Sequence, residues 1–170
     1  MRIAILAVPL TILSAAALSA ATPLATGMRI PAVTLADQHD AEGSVRSDTR
    51  CVLFSRDMSA AKIVQEALGN DPAALPAATV IISDISGMPG LITKLFALPA
   101  LRKRPYRILL DREGKATEDV PSINGKVTVL YLRDFTIERV EFVDSADALR
   151  TALHQAAEPQ PNHRHDGGER

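Results

Sequence analysis

Ser59 and Lys62 stand three residues apart in Ser59-Ala60-Ala61-Lys62, a spacing that puts a hydroxyl and an amine on one face of a helix. A lysine beside a serine can take its proton and make it a nucleophile, which is acyl-transfer chemistry. The S-D-N and K-T-G motifs that accompany such a pair do not occur, so the plainer reading is a helix start and a surface lysine. The loop just before it, Ser55-Arg56-Asp57-Met58-Ser59, is the best candidate binding site. Arg56 and Asp57 form an exposed pair, hold an anionic ligand at the helix N-terminus, or serve only as a cap and a solvated charge.

Other chemistry-bearing residues are sparser. Cys51 is the only cysteine, so no intramolecular disulfide forms; opening an apolar run, it reads as a small buried hydrophobe. The segment from Ser83 to Gly90 follows an apolar run and opens a helix, so its amides could cradle an anion, although it matches no phosphate-loop pattern. Between residues 94 and 115, Lys94, Arg102, Lys103, Arg104, Arg107, Arg112 and Lys115 face only Asp111 and Glu113. That basic face, centred on Arg102, Lys103, Arg104 and Arg107, suits an acidic protein, anionic lipid or phosphate, or is simply solvated. His163, His165 and Asp166 offer two imidazoles on a polar tail, too few for a structural metal site, so no metal is expected. Glu118-Asp119 has no partner base and is given no catalytic role.

The elements that position these residues follow from periodicity. CVLFS and ATVIISDI are apolar without alternation and read as strands buried on two faces. Between them Ala60, Ile63, Val64, Ala67 and Leu68 recur on one helical face, with Asp57 or Ser59 as the cap and Gly69-Asn70 as the stop. Together they make a βαβ unit. After a Gly/Pro turn, residues 90–98 give about two helical turns that should break at Pro99. RILLD is a further strand. VTVLYLRD and TIERVEFVD form a hairpin, its first arm inside the sheet and its second, alternating arm at the edge. SADALRTALHQ closes the chain with a helix that buries Ala148, Leu149, Ala152 and Leu153.

The chain has 170 residues with 46% hydrophobic, 23% charged and a net charge of −1, which excludes wholesale disorder and a basic nucleic-acid binder. Its first 21 residues combine Arg2, an apolar run and Ser19-Ala20-Ala21, the pattern of a cleaved signal peptide; a retained membrane anchor is the alternative. The expected organisation is a signal peptide over 1–21, a linker over 22–28, one domain over 29–157 and a disordered polar tail over 158–170. Such a leader implies a periplasmic or secreted protein with no integral membrane domain after cleavage.

The order strand, helix, strand, hairpin, helix resembles the thioredoxin-like superfamily, in particular its exported alkyl hydroperoxide reductase/thiol-specific antioxidant branch. IPAVTLADQHDAEG is similar to the family's opening hairpin, CVLFSRDMSAAKIV to its central strand, active-site loop and first helix, and RILLDREGKA to the strand inserted in exported members. The resemblance implies an α/β fold, a thioredoxin-like three-layer sandwich with a central mixed sheet flanked by helices. It also implies C-x-x-C at the helix start and a cis-proline before the hairpin. Here those positions hold Met58-Ser59-Ala60-Ala61 and Asn124-Gly125-Lys126, and the helix before the proline is cut down to ATEDVPSING. Neither dithiol nor Cys-peroxidase chemistry is therefore expected. The reading that follows is a non-catalytic, exported binding or scaffold module with a protein partner in the cell envelope and no cofactor. The alternatives are a flavin-linked (FAD/FMN) oxidoreductase, since similar short chains carry that label although no dinucleotide fingerprint is present, and a metal- or haem-handling protein.

Overall fold

Five consecutive residues, Cys51–Ser55, are buried on both sides and form β3, the centre of a five-stranded sheet. The computed structural model describes residues 23–158. The expected leader, and the expected tail beyond Glu158, lie outside them. β3 runs parallel to β4 (Thr79–Asp84), which runs parallel to β5 (Ile108–Asp111). On its other side β3 pairs antiparallel with β6 (Val127–Arg133), and β6 pairs with the edge strand β7 (Thr136–Val143). The order β5-β4-β3-β6-β7 is a mixed sheet, and a strand enclosed on both faces must be apolar at every position.

The helices pack on one face. α1 (Met58–Leu68) joins β3 to β4 and α4 (Ala146–Ala157) follows β7; Ala60, Ile63, Val64, Leu149 and Leu153 meet Cys51, Leu53, Val129 and Tyr131 in one core. Of the two cap candidates at the start of α1, Asp57 is the one used, and Ser145 caps α4, each accepting from first-turn amides. The opposite face is covered by chain that is not helical. Leu24, Ile30, Val45 and Val120 lie over Val52, Phe54, Ile82, Leu130 and Ile137 as a second core. The hairpin of β1 (Thr34–Ala36) and β2 (Glu42–Ser44) docks beside β5, so closely that a side chain at Gly43 would strike Leu109 and Arg107.

Two expectations change. Residues 24–28, read as part of a linker, are bound to the domain: Leu24 is buried, its amide donates to Asp119 O, Gly27 N donates to Ile137 O, and Ile137 N donates to Met28 O at the start of β7. The segment thus pairs an otherwise open sheet edge. The helix after β4 also does not break at Pro99. It runs continuously over 90–101, as α2 (Gly90–Ile92), a π-helical turn (Thr93–Ala97) and α3 (Leu98–Leu101). A proline ring clashes with the carbonyl four residues back; the widened turn, in which Leu98 N donates to Thr93 O, relieves that crowding.

Leu53, fully buried in the central strand, carries the sharpest test of this packing. Leu53→Ala is expected to destabilise the domain by about 2–5 kcal/mol, read from chemical denaturation.

Candidate functional site

At the carboxyl end of β3 the chain turns from wholly buried to polar within three residues, and each polar side chain is used internally. Ser55 is buried and its hydroxyl donates to Ser83 Oγ at 3.0 Å, its register partner on β4. Arg56 reaches over the sheet edge to donate to Thr117 O at 2.5 Å, with Asp84 at 3.6 Å and the Phe54 ring 5.2 Å beneath it. Asp57 Oδ1 accepts from Ser59 N at 2.8 Å and Ala60 N at 2.9 Å, while its Oδ2 accepts from Gly125 N at 2.8 Å. Arg56 and Asp57 therefore turn apart. The exposed-pair reading is corrected, and the anion at this helix N-terminus is the chain's own carboxylate.

Partial burial works against the Asp57 charge, but the three backbone donors prevail and hold its carboxyl below the usual range. Ser59 and Lys62 do not form a catalytic pair: Lys62 lies 3.5 Å from Glu66, one turn on, and both side chains are exposed. Met58 projects into solvent. Cys51, deep in the core opposite Tyr131, has its thiol pushed up to about 12 by burial, which leaves no thiolate at neutral pH. In the Ser83–Gly90 loop, Asp84 Oδ1 accepts from Ser86 N, and Met88 N donates to Ile85 O, so those amides are already committed.

The basic segment is partly paired within the chain. Arg107 donates to Asp37 at 2.8 Å, Arg102 and Arg112 reach Asp40 at 3.0 and 2.6 Å, and Arg104 donates to Gln65 at 2.6 Å. Of the run expected to form a basic face, only Lys94 and Lys103 make no ion pair or side-chain hydrogen bond among the described residues. The partners lie 39 to 72 residues away, beyond the reach of local pattern reading. Sequence reading gave no role to Gly125, whose amide the turn before β6 brings to Asp57, or to the exposed Ile123 two residues earlier in that turn. Their contribution is a backbone amide and an exposed apolar side chain, neither of which leaves a motif.

This geometry has structural counterparts. A candidate protein disulfide isomerase from Bacteroides thetaiotaomicron superposes with a TM-score of 0.53 at 12% identity, over 78% of this chain and 87% of that one. The exposed lipoprotein thioredoxin of Streptococcus pneumoniae gives 0.51 at 12% identity, covering 73% and 98%. A peroxidoxin from Mycobacterium tuberculosis gives 0.50 at 16%, covering 79% and 98%. The fold is thioredoxin-like. No protein-family model and no curated protein matches the sequence. Among the described residues, no helix is long and apolar enough to cross a membrane.

The triple acceptance by Asp57 makes its charge a stability contribution. A depressed native value means that this contribution is complete above the ordinary carboxylate range, near pH 4, and is lost as pH falls through the native value. Asp57→Ala should cost about 1–2 kcal/mol at neutral pH, the usual range for a lost helix cap. Asp57→Asn should cost less and flatten the acid limb of stability against pH, measured by urea denaturation at several pH values.

Proposed function

We propose that this thioredoxin-like domain is a non-redox binding module of the cell envelope, exported by its N-terminal leader. One observation carries the reading. Where the resemblance implies a reactive thiol at the first turn of α1, the chain has Met58-Ser59, and the amides that would stabilise a thiolate donate to Asp57 instead. The single thiol, Cys51, is one strand-length away and sealed in the core.

Two large apolar side chains stay outward at that end, among the exposed polar Ser59, Ser122 and Asn124. Met58 is 67% exposed and Ile123 45% exposed, and the turn bearing Ile123 is tied to Asp57 through Gly125. Two outward apolar side chains beside a fixed polar loop suit an extended protein segment, whose side chains they can cover. The fold resemblance supports the same placement, since relatives use this loop and its adjoining groove for peptides. Export is supported by the leader pattern in the sequence and by the exposed lipoprotein among the structural counterparts.

Two measurements test the reading. The purified protein should leave the rate of insulin disulfide reduction by dithiothreitol unchanged, and native Cys51 should resist maleimide until the chain is unfolded; measurable thiol exchange would overturn the non-redox assignment. A photo-cross-linker placed at Ser59 should capture an envelope protein whose recovery drops at least about tenfold when Met58→Glu and Ile123→Glu are combined, as expected for losing two buried anchors. Undiminished recovery would remove this end as the binding surface.

A further inference from the structure

The continuous helix over 90–101 is packed the wrong way round for a core element. Its small residues, Thr93 and Ala97, are half-buried and Leu98 is its one buried side chain, while Leu91, Leu95 and Phe96 are 71%, 59% and 69% exposed. Ile92 adds to the same outward face. Large apolar residues grouped on one side of a soluble domain mark an interaction surface.

Its surroundings select the occupant. Between Asp84 and Asp111 the sequence contains no carboxylate, and its five cations are Lys94, Arg102, Lys103, Arg104 and Arg107. Arg107 and Arg102 are paired with Asp37 and Asp40, whereas Arg104 meets only the uncharged Gln65, so Lys94, Lys103 and Arg104 make no ion pair among the described residues, and the two lysines make no side-chain hydrogen bond either. An outward apolar face flanked by uncommitted lysines matches an anionic lipid surface, where apolar side chains enter the acyl boundary and ammonium groups meet phosphate. The four apolar side chains expose on the order of 400 Å², about half of what each partner in a stable dimer buries, which argues against a second copy as occupant.

The chain path agrees. The helix leaves the carboxyl end of β4, and Leu24 is fixed to Asp119 beside Arg56 at the same end of the sheet. Residues 23 and 24 therefore lie at the end of the sheet from which the helix starts. The geometry points to a membrane-docking face: Leu91, Ile92, Leu95 and Phe96 lie in the interface of an anionic bilayer, with Lys94 and Lys103 against its headgroups. This contact is separate from the loop at Asp57 and does not depend on its partner.

The protein contains no tryptophan, so Phe96→Trp in the full chain gives a single local reporter at an exposed position. Vesicles mixing phosphatidylglycerol with phosphatidylcholine should shift its emission to shorter wavelength, and bromine on the lipid chains should quench it; pure phosphatidylcholine should do so far more weakly. Adding Lys94→Gln and Lys103→Gln should lower partitioning into the anionic vesicles about 30-fold, as expected from losing two juxtamembrane charges. Because the reporter is local, vesicle binding through the leader alone would leave the emission at its aqueous position and overturn the proposal. An emission shift that follows protein concentration without lipid, together with a dimer mass, would assign the face to self-association and overturn it as well.

Discussion

β3 lies between β4 and β6 with both faces covered, so none of Cys51–Ser55 can carry an unpartnered polar group, and all polar work must begin where the strand ends. Ser55, Arg56 and Asp57 follow in sequence and reach three different places: the neighbouring strand, the 117–120 turn and the loop before β6. The loop that begins α1 is thus a joint that closes the carboxyl end of the sheet. A reactive group needs orienting partners and access to a substrate, and here the orienting capacity is spent on internal contacts. Asp57 alone satisfies two helix amides and a third from a loop 68 residues away.

The face without helices depends on the same joint. Asp111, at the end of β5, accepts from Gly114 N, Thr117 N and Thr117 Oγ1, so that one buried carboxylate shapes the turn after it. Gly114 adopts φ +74, and a side chain there would press on Ser86, which ties this turn to the loop after β4. Arg56 then donates to Thr117 O and Val120 O, holding the turn where Val120 can enter the second core. With no helix in this stretch, the extended segment through Leu24 and Ile30 supplies the missing apolar cover. Loss of the Arg56 contacts would leave Thr117 O with Val120 N as its remaining donor and loosen that layer from its edge.

The sequence made the central elements legible because their signals are local. Two uniformly apolar runs, one amphipathic run between them and an alternating final strand are enough to place β3, α1, β4 and the β6–β7 hairpin, and Asp57 as the cap of α1 follows from its position. Pro99 misled because its cost falls on the turn before it, and a π-helical turn absorbs that cost without leaving a mark in the residue pattern. The binding of residues 24–28 was hidden because its partners, Asp119 and Ile137, lie on distant segments. Charge counting likewise saw Arg102, Arg107 and Arg112 as one surplus, because Asp37 and Asp40 enter only when the β1–β2 hairpin docks beside β5.

That docking also decides what remains of the charge. Gln38 is buried in the hairpin turn, donating to Tyr106 O and accepting from Ile108 N, so the two aspartates beside it are fixed where the arginines of the 102–112 stretch must pass. Arg107 gains a nearly buried carboxylate partner, and Arg102 and Arg112 share the exposed Asp40. Arginine suits this role because its planar fork binds carboxylate and carbonyl oxygens together, as Arg107 does with Asp37 and the carbonyls of Ala41 and Glu42. Lysine, a compact and strongly hydrated cation, stays at Lys94 and Lys103, on and beside the helix whose large apolar side chains face outward. Internal pairing thus lowers the positive charge on the hairpin side, where two arginines share Asp40, and leaves Lys94 of the helix without a carboxylate partner among the described residues. An even distribution would dilute the attraction for any anionic surface; this one places charge and apolar area together, where their contributions to binding act on the same contact.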